Sequence, residues 1–351
     1  MKDTRKKNRT VVTAVFAVVS FIAALLLLHF YSPPMVFDSG YRTVMGTLAD
    51  VKVVAEDSAA AQKSITAAFE QFEEVERLMS YHDPNSQINQ INRDAFRYPV
   101  KVDESIFKVL EEAVKFSRLS DSAFDITVAP LIDLWNAAEE ADKLPTQEEI
   151  DAAKAKVGSD NLILDPSHKT VRFAVEGMKL DLGGIAKGYA IDKAIEAIQE
   201  AGAFGAMVDV GGDIRVFGTP PRNKKFWSIG MQDPKDTSDV VGPGVYLLVL
   251  NVNDAAVTTS GDYRRYVSIQ GQQFSHIIDT ATGESAIDLT SVTIITHTAM
   301  KADALATAVT VLGIEKGLKL VESLADAEAI LISSAPDYKI IKSSGANGYI
   351  K

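Results

Sequence analysis

Two hydrophobic periods alternate along most of this chain. Ile65, Ala68, Phe69, Phe72, Val75, Leu78 and Met79 recur at helical spacing, which predicts an amphipathic helix over Ser58–Met79. Further helices are predicted over residues 103–120, capped by Asp103, and over 185–201 and 300–312. Residues 139–157 are charged and helical in pattern; Pro145-Thr146 opens a new turn there, and Thr146 with Glu149 resembles a capping box. Short apolar runs predict a strand pair within 41–55, interrupted at Met45-Gly46-Thr47, and strands at 162–164, 171–175 and 179–182. Residues 206–218 are expected as a strand with a turn at Gly211-Gly212. Strands at 226–232, 246–252, 256–260, 266–269 and 291–296 follow, and from Val321 onward a helix and two strands. Helices and strands mix without a regular βαβ alternation, which favours an α+β fold over a doubly wound sheet. No internal repeat and no low-complexity tract interrupts the pattern.

The N-terminus breaks that rhythm. Lys2, Arg5, Lys6, Lys7 and Arg9 precede Val11 to Leu28, eighteen residues without a charge. Such a run is long enough to span a bilayer, and its basic flank predicts a cytoplasmic N-terminus. A cleaved signal peptide is the rival reading, but bulky His29, Phe30 and Tyr31 stand where a small-residue cleavage site belongs. The sequence therefore predicts a basic cytoplasmic tail over 1–10, a membrane anchor or signal segment over 11–31 and a linker over 32–40, with the rest outside the cytoplasm. Residues 1–40 hold five Lys/Arg and two Asp/Glu of the chain's 36 and 47, leaving 31 against 45 for the remainder. So acidic a body argues against nucleic-acid binding and means that an anionic ligand needs a local positive device, such as a metal ion. With no cysteine, disulfides, iron–sulfur clusters, thiol catalysis and a lipidated-cysteine anchor are excluded.

Three clusters carry candidate chemistry. The first is Asp181-Leu-Gly-Gly-Ile-Ala-Lys-Gly188, between an apolar run and a helix. It lacks the spacing of a Walker A loop and of a dinucleotide fingerprint. Either it is a tight turn with Asp181 as helix cap, or Gly184 lets a ligand or ion approach a bare backbone carbonyl while Lys187 balances ligand charge. The second is Asp303 with Thr307, one helical turn apart among Ala and Leu. A carboxylate and a hydroxyl on a buried face are hard-oxygen donors suited to Mg²⁺ rather than zinc. The alternative is a solvated Asp303 and a Thr307 bonded back into its own helix. The third is His276-Ile-Ile-Asp279 with Gly283, a strand leaving a hairpin. There His276 is either a proton acceptor near neutral pH or a structural histidine. Phe124-Asp125-Ile-Thr127 puts a ring and a carboxylate on one short turn, and 210–215 and 259–263 have the composition of hairpin corners.

Taken in order along the chain, these blocks resemble the ApbE family of FAD:protein FMN transferases. The resemblance is carried by Met45-Gly46-Thr47, Met79-Ser80 with Ser86-Gln-Ile-Asn89, Phe124 to Leu131 with Trp135, and Asp181 to Gly188 with Tyr189 and Asp192. Gly211 to Arg215, Thr259 to Tyr263, His276 to Asp279 with Thr282-Gly283, and Ala302 to Ala308 complete it. It implies a single T-fold-like domain over 41–351, of two lobes with a central cleft that holds FAD. It implies Mg²⁺ on the FAD diphosphate, held by Asp303, Thr307 and the Gly184 carbonyl. Met45, His82, Ala123, Phe124, Asp125, Asp181, Lys187 and Ile277 would line the FAD site, and His276 is the candidate base. The implied reaction moves FMN from FAD to a Ser or Thr hydroxyl of an acceptor protein and releases AMP. Implied acceptors are membrane redox subunits of the Nqr and Rnf kind, which points to the inner membrane with the catalytic domain on its outer side. The chain departs from the family where an aromatic, usually Tyr, follows Met-Ser; His82 stands there, with Tyr81 one residue earlier. Two other functions share these residues: hydrolysis of FAD to FMN and AMP, and non-catalytic binding of FAD.

Overall fold

The computed structural model describes residues 13, 15–21, 33–221, 224–235, 246–261, 266–334 and 336–351. The expected membrane segment lies mostly outside these; Thr13 and residues 15–21 are exposed helix. Among the described residues no helix is long and apolar enough to cross a membrane.

In chain order the main elements begin with β1 (Met35–Asp38), β2 (Arg42–Val44), β3 (Thr47–Ala55), α1 (Ser58–Met79), α2 (Gln87–Asp94), β4 (Val100–Lys101) and α3 (Glu104–Leu119). Next come α4 (Ala129–Glu140), α5 (Gln147–Lys154), β5 (Leu162–Asp165), β6 (Thr170–Phe173), α6 (Ala186–Glu200), β7 (Gly205–Val210) and β8 (Asp213–Gly218). The chain continues through β9 (Trp227–Gln232), β10 (Tyr246–Val252), β11 (Ala255–Gly261), β12 (Tyr266–Ile269), β13 (Gln272–Ser275) and β14 (Leu289–Thr296). It ends with α7 (Ala299–Glu322), β15 (Glu328–Ser333) and β16 (Ile340–Lys342).

Among the described residues nine strands form one antiparallel sheet in the order β1-β3-β7-β8-β11-β14-β15-β16, with β2 paired to β3. Strand alternation divides its two faces. Ala49, Val51, Val53 and Ala55 of β3 enter the main core under α1, α6 and α7. Val54 points the other way, into a second core with Trp227, Ile229, Met231 and Leu250 of the β9–β10 hairpin. A third cluster joins α4 to the β12–β13 hairpin, where Trp135 and Phe274 stack 5.2 Å apart. The fold is mixed helix and sheet, as the absence of βαβ alternation predicts.

Caps and turns follow the local chemistry. Asp57 and Asp103 accept from the first-turn amides of α1 and α3, and Thr146 and Glu149 form a capping box on α5. Met45 and Gly46 both have positive φ, 49° and 71°, and close the β2–β3 hairpin; Gly211 and Gly212, at 66° and 93°, close β7–β8. Both turns thus have the backbone hand that matches the twist of the strands they join.

Several expectations need correction. Residues 179–182 are not a strand: the Asn92 side chain donates to the Leu180 carbonyl at 3.0 Å and accepts from its amide at 2.7 Å. The Asp181 amide goes to the Ile126 carbonyl at 2.8 Å, so side chain and turn replace a sheet neighbour. Met35–Asp38, expected as linker, forms an edge strand on β3. Residues 139–157 split between α4 and α5. The helix expected to end at 312 does break at Gly313, with φ 71°, but resumes to Glu322 and supplies the helix expected from Val321. Thr259 to Gly261 lie inside β11 rather than at a corner; residues 262–265 are outside the described chain.

Helices α6 and α7 cross at very close range because Gly188 has no side chain. A methyl group there would overlap the Ala299 carbonyl and the Met300 backbone. Their contact is fixed by two buried carboxylates acting in opposite directions. Asp192 of α6 accepts from the Ala299 and Met300 amides, at 2.8 and 3.0 Å, and from Arg215 Nη1 at 2.7 Å. Asp303 of α7 accepts from the Gly188 amide at 3.0 Å. Each helix thereby satisfies first-turn amides of the other. Gly188→Ala forces backbone apart rather than a flexible side chain, and thermal or denaturant melting should show a loss of about 3 kcal/mol.

Candidate functional site

The site's floor is where the turn before α6 meets α7. A Cβ on Gly184 would stand 3.0 Å from Thr307 Oγ1 and 3.3 Å from Phe124 Cε2. Asp303 lies one turn before Thr307 and is buried, at 4% exposure. Thr307 does not bond back into its helix, whereas Thr310 does, to the Ala306 carbonyl at 2.8 Å. Gly184, Asp303 and Thr307 thus share one place, although Asp303 follows Gly184 by 119 positions in the chain.

Electrostatics at this floor are acidic. Burial pushes the Asp303 carboxyl up to about 6; Lys187 opposes that shift and Asp213 adds to it. Lys187 itself is paired with Asp213 Oδ2, and Asp213 Oδ1 accepts from the Thr259 amide at 3.1 Å. Asp213, expected only as part of a hairpin corner, is a member of this site. Asp192, a helix residue among those that carry the resemblance but without an expected site role, is another. The available signal was the one that singled out Asp303, a carboxylate among apolar residues of a packed element.

The walls come from loops tied to the floor. Asp181 does not cap α6, whose N-cap residue is Ile185; its Oδ1 accepts from the Gly183 amide at 2.7 Å. Desolvation pushes the Asp181 carboxyl upward, against the Gly183 amide and the nearby His82. His82 is exposed, at the edge of a depression of about 330 Å³ that Tyr81, Asn92 and Lys179 also line. The Tyr81 hydroxyl donates to Asp133 Oδ1 at 2.7 Å, and Lys179 reaches the other oxygen at 2.7 Å. That leaves the His82 imidazole as the ring presented outward.

Phe124 is buried beside Gly184, and Ala123 is buried before it, behind two left-handed residues, Asp121 and Ser122. Asp125 is fully engaged in holding this turn: Oδ1 accepts from the Thr127 amide and hydroxyl at 2.8 and 2.7 Å, and Oδ2 from the Ser159 amide at 3.0 Å. The turn meets the 276–283 loop, where Thr280 donates to the Ser122 carbonyl at 2.9 Å and Trp135 Nε1 to the Gly283 carbonyl at 2.9 Å. Ile277 is buried in that loop and His276 is exposed beside it. Met45 sits at the tip of its hairpin, its amide on Glu76 Oε2 at 3.0 Å. Thr47 packs on Gly211, which joins that hairpin to the turn carrying Asp213.

The donor set fits a hard divalent cation. Among the described residues no three His, Cys, Asp or Glu side chains cluster as a metal site. An ion here would draw on one buried carboxylate, a hydroxyl outside the helix's own bonding and a backbone carbonyl at a glycine that a Cβ would crowd. Metal-free, Asp303 holds its proton more tightly folded than unfolded, so its burial penalty is absent below about pH 4 and fully present above about 6. Asp303→Asn keeps an acceptor for the Gly188 amide and removes that penalty. In metal-free buffer it should melt a few degrees above the parent at pH 7.5, and the gap should close as pH falls through 6 towards 4.

Comparison with known proteins gives a consistent picture. The sequence model of the ApbE family matches residues 45–331. The chain is 31% identical over 339 residues to the FAD:protein FMN transferase of Vibrio cholerae, covering 94% of this chain and 97% of that protein. It is 32% identical over 316 residues to the FAD:protein FMN transferase of Treponema pallidum, covering 86% and 85%. Among solved structures, the ApbE protein of Thermotoga maritima aligns with a TM-score of 0.81 at 30% identity, covering 90% of this chain and 100% of that one. The flavin transferase ApbE of Vibrio cholerae aligns with a TM-score of 0.77 at 30% identity and the same coverage.

Proposed function

The chain belongs to the ApbE family, and from that membership and the site geometry we infer that it is a FAD:protein FMN transferase. It transfers FMN from FAD to an acceptor protein. The observation that carries the site assignment is the convergence of Gly184, Asp303 and Thr307 beside Phe124.

Asp303, Thr307 and the Gly184 carbonyl would hold Mg²⁺, which would supply positive charge to a diphosphate bound there. FAD lies along Met45, Ala123, Phe124, Asp181, Lys187 and Ile277, with the His82 imidazole towards the flavin. Asp125 contributes by bracing the turn that presents Phe124. The acceptor's Ser or Thr oxygen attacks the FMN phosphorus, its proton passes to His276, and the bond to the AMP oxygen breaks. A new phosphoester and free AMP result. Phosphoryl transfer asks mainly for position and charge, so a fold that fixes oxygen donors on two clamped helices is well suited to it.

The uncharged run at 11–28 with its basic flank supports an inner-membrane anchor that leaves the catalytic domain outside the cytoplasm, near membrane redox subunits of the Nqr or Rnf kind. One observation favours a side reaction. Tyr81 is held by Asp133, so imidazole rather than phenol is the outward ring, and it offers less stacking surface to flavin. Water then competes with the acceptor, releasing FMN and AMP.

The test is to incubate the protein with FAD, Mg²⁺ and a candidate acceptor subunit, then resolve the products by in-gel flavin fluorescence. Labelling should require Mg²⁺ and fall on the order of 10²–10³-fold in Asp303→Ala. AMP release with no labelled acceptor would favour the hydrolase, and full activity in Asp303→Ala would remove the metal assignment.

A further inference from the structure

We propose that Lys187 is the resident counter-ion of the Asp213 and Asp303 carboxylates, holding the charge that a divalent cation takes over when the site is loaded. The inference rests on the metal reading above and adds an order of events to it: Lys187 must yield before the ion can settle.

Lys187 directly precedes Gly188, the residue whose amide binds Asp303 Oδ2, so the lysine and that carboxylate belong to one turn of the α6–α7 contact. Its ammonium pairs with Asp213 Oδ2, on a side chain only 3% exposed. Asp213 cannot turn away, because its other oxygen accepts from the Thr259 amide at 3.1 Å. Buried carboxylates that act on one another, as Asp213 does on Asp303, are costly without a cation. Around Asp303, Asp213 and Asp192 act unfavourably and Lys187 favourably. Asp192 already has its own cation, since Arg215 binds it at 2.7 Å. Lys187 is therefore the charge that makes the metal-free site tolerable.

The choice of lysine suits an exchangeable role. Arg215, with its rigid planar guanidinium, holds Asp192 through Nη1 in a structural pairing. Lys187 is a point charge on a flexible stem, and 24% of its side chain is exposed, so it can swing. A divalent ion beside Asp303 repels the ammonium, while the diphosphate that arrives with the ion offers it a new partner. The same residue then serves twice, as counter-ion in the metal-free protein and as phosphate contact in the loaded one.

The test titrates MgCl₂ into the metal-free full chain, without FAD, by isothermal calorimetry. Lys187→Met should bind Mg²⁺ on the order of tenfold more tightly than the parent and melt lower before the metal is added. Lys187→Arg, which keeps the charge, should return the affinity to the parental value. Should Lys187→Met not fold, the double variant Lys187→Met/Asp213→Asn keeps an acceptor for the Thr259 amide and should bind Mg²⁺ no more weakly than the parent. Equal or weaker binding by Lys187→Met, or weaker binding by the double variant, overturns the proposal. Asp303→Ala separates the two readings. Its Mg²⁺ heat should vanish; if it persists, the metal assignment itself is wrong, not only the role of Lys187.

Discussion

Everything at this site depends on the reciprocal contact between α6 and α7. Asp192 satisfies the start of α7, Asp303 satisfies the start of α6, and Gly188 lets the two backbones touch. A buried carboxylate that accepts helix amides is stabilised by those bonds and by the helix dipole. The geometry therefore fixes more than stability. It sets Gly184, at the end of one chain segment, against Thr307 on another, and it leaves Asp303 with capacity beyond the one amide.

Charge organises the remainder. The chain is acidic overall, and its site is acidic too, with Asp213 and Asp303 buried around a single lysine. An enzyme acting on a diphosphate cannot leave that balance unaltered. The donors available are hard oxygens, the kind that suit a hard divalent cation. The walls are ordered differently. Asn92, Asp125 and Asp133 are used to hold loops, so the segments around the cleft are braced by side chains where no sheet supports them.

Much of this was legible in the sequence, and the limits follow from physics. Helix α1 matches its expected bounds because one apolar stripe and Asp57 specify it locally, and both hairpin turns at Met45-Gly46 and Gly211-Gly212 announce themselves by composition. Asp303 and Thr307 were visible as polar residues on an apolar helix face. What could not be read were partnerships across the chain. Residues 179–182 have strand composition, but Asn92, 88 positions away from Leu180, supplies the bonds a neighbouring strand would. Met35–Asp38 looks like linker beside two prolines, yet β3 offers it an edge. Asp192 and Asp213 resemble solvated or turn residues until Arg215, Ala299 and Lys187 are brought to them.

The proposed metal site has one divalent ion bound to Asp303, Thr307 and the Gly184 carbonyl together. Crystals grown with Mn²⁺ and ADP would report this directly through the anomalous difference map. A single strong peak within bonding distance of all three oxygens is expected. A peak held by other residues, or an ordered ADP diphosphate with no anomalous peak beside Asp303, would contradict it.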